Sequence, residues 1–231
     1  MKYTYFLLLY FALSVVEIAG EMLGMRWLIF ATKPVLVPVL AAGFWISTAA
    51  TGEKKYRWCI LVALLFATSG DFWLMFEEWL PAEEQVLPFF ILGLGSFLIT
   101  HLAYCVAFWG FAQRNKSTTT PSGLKALLWV FPLLIVLGCV VFARAQLGEM
   151  LLPVLVYGLV VCLMLGLALK LTTRGEYGGW VALGAGLFVI SDTLIGCNKF
   201  FYSLPLARVF IMLFYLLGQF YIVEGSRRLI K

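Results

Sequence analysis

Apolar residues run along this chain in long continuous stretches, interrupted by short polar knots. A helix of about 20 apolar residues crosses the hydrocarbon core of a bilayer. By that criterion the pattern predicts eight spans, over residues 3–21, 28–48, 57–76, 86–112, 124–143, 150–170, 178–196 and 205–225. The knots lie where turns are needed: "TGEKKYR" (51–57), "EEWLPAEEQ" (77–85), "QRNKSTTTPSG" (113–123) and "TTRGEYGG" (172–179). The alternation of a membrane β-barrel is absent. The expected fold is all-α, a polytopic membrane protein with eight transmembrane helices, and the whole chain, 1–231, is one transmembrane domain.

Composition agrees. The chain is 63% hydrophobic and 13% charged, about half the charged share of an average soluble domain, so polar surface is too scarce to cover a soluble globule. The opening "MKYTYFLLLYFALSVVEIAGEM" has the lysine and apolar core of a signal peptide but no small-residue cleavage site, and is read as the first span. Five scattered cysteines form no CxxC pair, and point to neither a disulfide framework nor a zinc site.

Charge gives the orientation. Lysine and arginine concentrate in cytoplasmic loops. With the N-terminus inside, 12 of the 17 basic residues fall on the cytoplasmic side and 5 outside, which predicts both termini cytoplasmic. The net charge of +5 is therefore a topology signal and calls for no nucleic-acid partner.

Polar residues inside the spans are the next anomaly. Glu17 and Glu21 end span one, Lys33 opens span two, Asp71 lies in the outer third of span three, and Ser191 and Asp192 lie in the outer third of span seven. Asn198 and Lys199 follow just beyond. His101 and Tyr104 share a face of span four, Tyr157 lies in span six, and Tyr215 and Gln219 share a face of span eight. An ionised side chain at the centre of a membrane helix costs about 2.5–3.5 kcal/mol. Several at similar depth are expected to face a polar cavity opening toward the outer half of the bilayer. Each also has a structural reading: Asp71 as half of an ion pair with Lys33, Lys33 as a residue snorkelling to the interface, His101 as a hydrogen-bonded core residue, and Tyr157, Tyr215 and Gln219 as helix–helix ties. A short echo, "LFATSGD" (65–71) and "LFVISD" (187–192), sits at the ends of two outward-running spans.

Much chemistry is excluded. A single histidine cannot build a multi-histidine zinc site, so no metal is expected. There is no GxSxG elbow, P-loop or dinucleotide fingerprint, and no cofactor is called for. Two carboxylates in unlike surroundings can divide acid and base roles, with a neighbouring cation such as Lys33 keeping one ionised. That suits hydrolysis of an acid-labile bond.

The segments "TKP" (32–34), "SGD" (69–71), "THLAY" (100–104), "GAGLFVISD" (184–192) and "FYLLGQFYIV" (214–223), in that order, resemble the YhhN-like family of multi-pass membrane proteins, which includes the lysoplasmalogenases. The resemblance implies hydrolysis of the vinyl ether bond of lysoplasmalogens to a fatty aldehyde and glycerophosphoethanolamine or glycerophosphocholine. It implies that Asp71 and Asp192 are the family's acidic positions, Lys33 its KP lysine, and His101 and Tyr104 its span-four pair. The expected partners are a lysophospholipid substrate and the bilayer; Lys33, Lys199 and Arg208 are candidates to hold the lipid phosphate. The expected location is a bacterial inner membrane. Two other classes fit the same residues. A transporter would use buried charges and a repeat, although the polar groups cluster on one side rather than along a path. A non-catalytic lipid-binding protein would have the same sequence pattern.

Overall fold

A computed structural model describes residues 2–79, 87–114 and 147–231. Every regular element among them is helical: α1 (Lys2–Leu23), α2 (Arg26–Ser47), α3 (Lys54–Trp79), α4 (Leu87–Arg114), α5 (Leu151–Leu171), α6 (Glu176–Phe200) and α7 (Ala207–Leu229), with single 3-10 turns at Gly148–Met150 and Thr172–Arg174. All seven long helices are long and apolar enough to cross a membrane, and the protein is an integral, multi-pass membrane protein. They coincide with seven of the eight expected spans. The expected span 124–143 lies outside the described residues.

The helices outrun the apolar windows because helix and hydrophobic span end for different reasons. α3 begins at Lys54 rather than 57 and α6 reaches Phe200 rather than 196. Lysine and asparagine leave the hydrocarbon yet still complete backbone hydrogen bonds. Breaks occur where the backbone needs them. Gly24 has φ 63 between α1 and α2, and Gly175 has φ 94 ahead of α6, conformations that glycine adopts without a Cβ clash.

The helices group into two compact units, Met1–Ala107 with Ile230–Lys231, and Phe108–Leu229. In the first unit α1 packs on α2 and α2 on α3. Thr100 on α4 donates to the Ala63 carbonyl of α3 at 3.1 Å. A Cβ on Gly70 would stand 2.6 Å from the Phe97 ring, so the glycine of "SGD" lets α4 close on α3. In the second unit α5 packs on α6 and α6 on α7. A Cβ on Gly184 would lie 2.6 Å from both the Gly218 carbonyl oxygen and the Ile222 nitrogen. Two backbones this close need glycine, the usual device of membrane helix pairs.

Candidate functional site

The interior of the first unit is built from residues that the apolar pattern had marked as exceptions. On α3 the buried positions Tyr56, Ile60, Ala63, Ala67, Gly70 and Asp71 follow a helical spacing. Asp71 therefore faces inward, 4% exposed. α2 buries Thr32, Lys33, Leu36, Leu40 and Gly43 on one side. Lys33, 6% exposed, points into the unit and does not snorkel. Pro34 and Pro38 lie within the same helix and remove two backbone donors. α4 contributes Thr100, His101 and Tyr104, all fully buried.

α1 completes the set. Its inward positions are Tyr10, Ser14, Glu17 and Gly20, while apolar residues such as Leu8, Val15 and Met22 are exposed. The single hydroxyl hydrogen of Thr32 is shared between two acceptors, Glu17 Oε2 and the Leu28 carbonyl, the latter at 2.8 Å. The Tyr10 hydroxyl lies within electrostatic reach of Asp71 and Tyr104, and Tyr104 within reach of Tyr56. Ser69 and Ser96 meet at 3.3 Å. One unit thus shields Glu17, Lys33, Asp71 and His101 from solvent together, a group stable only where opposite charges and hydrogen bonds offset desolvation.

The second unit holds the remaining candidates, in a different state. Asp192 on α6 is half-buried and accepts a 2.9 Å hydrogen bond from the Tyr157 hydroxyl of α5. Its neighbour Ser191 is turned away, donating to the Ile211 carbonyl of α7 at 3.0 Å. Tyr215 packs edge-on against Phe188, with ring centroids 5.3 Å apart, and Gln219 is fully buried one turn on. Asn198 accepts from the Leu204 nitrogen at 3.0 Å, fixing the turn into α7. Lys199 and Arg208 are exposed.

The first unit thus buries Lys33, Asp71, His101 and Tyr104, and the second pairs Tyr157 with Asp192. Ser191, Asn198 and Tyr215 serve helix packing and the turn into α7. Sequence reasoning missed Tyr10, Thr32, Tyr56, Ser96 and Thr100. The spacing of Tyr10, Ser14 and Glu17, at i, i+4 and i+7, was a usable signal for the α1 stripe. Among the described residues no group of three or more histidine, cysteine or acidic side chains could hold a metal ion.

No solved structure matches this chain. Relatives do. Rat (Rattus norvegicus) lysoplasmalogenase TMEM86B is 29% identical over 191 residues, 83% of this chain and 70% of its own length. The lysoplasmalogenase of Mycobacterium bovis is 30% identical over 185 residues, 78% of this chain and 63% of its own. Human (Homo sapiens) lysoplasmalogenase TMEM86B is 31% identical over 204 residues, 86% and 76% of the two chains. The YhhN family matches residues 28–226. That match spans α2 through most of α7 and includes every motif that suggested the resemblance: the chain belongs to the YhhN family.

Proposed function

We propose that the protein is a lysoplasmalogenase, a hydrolase that opens the vinyl ether bond of lysoplasmalogens. One observation carries the reading. The residues that the family resemblance marks in α2, α3 and α4 are those the first unit buries together, in a chain otherwise given over to hydrocarbon.

The chemistry needs few groups. Protonation of the β-carbon of the vinyl ether gives an oxocarbenium ion. Water adds to the adjacent carbon and loses a proton, and the hemiacetal collapses to a fatty aldehyde and the glycerophospho-headgroup alcohol. Water is the only co-reactant. We assign proton donation and activation of water to the two carboxylates that the family resemblance marks, Asp71, buried in the first unit, and Asp192, which accepts a hydrogen bond from Tyr157 in the second. Carboxylates placed for such transfers typically contribute about 10²–10⁴-fold in rate. Lys33 supplies a cation for the lipid phosphate or for charge balance, and His101 and Tyr104 line the same interior.

In this reading the chain has eight spans as one transmembrane domain, the fifth over residues 124–143. Both termini are cytoplasmic, and the site belongs to the outer half of a bacterial inner membrane. The 12-to-5 distribution of basic residues supports it. The test is direct. Detergent-purified protein is incubated with a lysoplasmalogen, a lysophospholipid ester and a saturated ether analogue, and aldehyde and headgroup product are measured. Aldehyde from the vinyl ether alone is expected. Release of fatty acid from the ester, or no product at all, refutes the reading.

A further inference from the structure

The family match begins at residue 28, so α1 lies before it. Yet α1 directs Tyr10, Ser14, Glu17 and Gly20 into the first unit and leaves its apolar residues outside. The apolar outer face suits lipid, but the polar inward stripe is more than a helix needs merely to sit in a membrane, where an all-apolar helix is cheapest. Glu17 is 0% exposed, and an intramembrane carboxylate carries a cost that a purely structural span avoids.

One of its contacts reaches the next helix. Glu17 accepts the hydroxyl of Thr32, the residue before Lys33 and two before Pro34. Pro34 has no N–H for the carbonyl one turn earlier, so the opening of α2 lacks a bond that would hold an ordinary helix straight. Thr32 and Lys33 are adjacent, and pinning one side chain across the helix boundary fixes the rotation at which the other enters the unit. Tyr10, two turns before Glu17 on the same face, reaches the field of Asp71.

We propose that Glu17 is a positioning residue of this site: through Thr32 it sets the α2 turn that carries Lys33, so α1 is part of the catalytic machinery although it lies before the family match. The proposal rests on the lysoplasmalogenase reading, because its readout is turnover.

The experiment compares wild type, Glu17→Leu, Thr32→Val, Thr32→Ser and the Glu17→Leu/Thr32→Val double variant on a lysoplasmalogen. Melting temperature in detergent is measured alongside. A misplaced group costs about 10²-fold in rate. Glu17→Leu, which removes the acceptor of the Thr32 hydroxyl, is expected to lower kcat/KM on that scale with the melting temperature retained. Thr32→Val should lower kcat/KM in the same way, Thr32→Ser should restore it, and the double variant should be no slower than Glu17→Leu alone. Near-wild-type kcat/KM for Glu17→Leu, or multiplying losses in the double variant, overturns the proposal. If Glu17→Leu does not fold, equal turnover by Thr32→Val and Thr32→Ser overturns it instead. An inactive wild type sinks the lysoplasmalogenase reading and this inference with it; an active wild type matched by an active Glu17→Leu sinks the inference alone.

Discussion

Two aspartates follow nearly the same words in this chain, "LFATSGD" and "LFVISD", and come to rest in different surroundings. Asp71 is buried inside the first unit, 4% exposed. Asp192 is half-buried and accepts a hydrogen bond from Tyr157. The difference begins with the preceding residues. Gly70 admits the Phe97 ring of α4 against its backbone, whereas Ser191, in the corresponding place, reaches the Ile211 carbonyl of α7. A local sequence echo therefore sets helix geometry but not environment. What surrounds an intramembrane carboxylate is decided by the neighbouring helices, and with it the chemistry that carboxylate can perform.

The sharpest way to break the comparison is to neutralise each aspartate. Asp71→Asn and Asp192→Asn should each lower aldehyde release by about 10²–10⁴-fold while the protein still elutes as a folded species from detergent. Near-wild-type turnover in either would leave only one working carboxylate. Next in size is the packing that holds the second unit. Gly184→Leu drives a side chain into the Gly218 and Ile222 backbone, and overpacking of this kind costs about 1–3 kcal/mol. A clear fall in melting temperature is expected, with Gly95→Ala on α4, which meets nothing within 4 Å, as the unchanged control. Tyr157→Phe is read in activity rather than in stability. It removes one hydrogen bond to a carboxylate. The expected result is reduced kcat with the fold intact, and an unchanged kcat would detach Tyr157 from the site. Smallest is Thr100→Val in the first unit, which deletes the bond to the Ala63 carbonyl. Calorimetry should register a loss of about 1 kcal/mol.

The spans were legible because hydropathy reports bilayer crossing directly, as the agreement from α1 to α4 and α5 to α7 shows. Helix ends were less so, since Lys54 and Asn198 continue a helix after the hydrocarbon has ended. Asp71, Asp192, Lys33 and His101 stood out because ionisable groups violate an apolar background. Thr32 and Thr100 did not. A membrane threonine can satisfy its hydroxyl on its own helix, as Thr32 does with the Leu28 carbonyl, so it costs little and leaves no mark on hydropathy. Nor could the inward turn of Lys33 be read. A lysine near a helix start reaches the interface or the interior equally well until its neighbours are known. The roles of Ser191 and Asn198 depended likewise on which carbonyl or amide stood opposite.

The hydrogen bond between Glu17 and Thr32 also bears on how the chain enters its membrane. The donor lies 15 residues downstream of the acceptor, beyond the Gly24 turn, so α1 inserted alone carries a carboxylate without that donor. Each charged side chain stranded in a bilayer costs about 2.5–3.5 kcal/mol; Glu17 and Lys33 lie on consecutive helices and carry opposite charge. The first two helices are thus most cheaply delivered as a hairpin, and the smallest segment of this protein at home in lipid is a pair of spans rather than one.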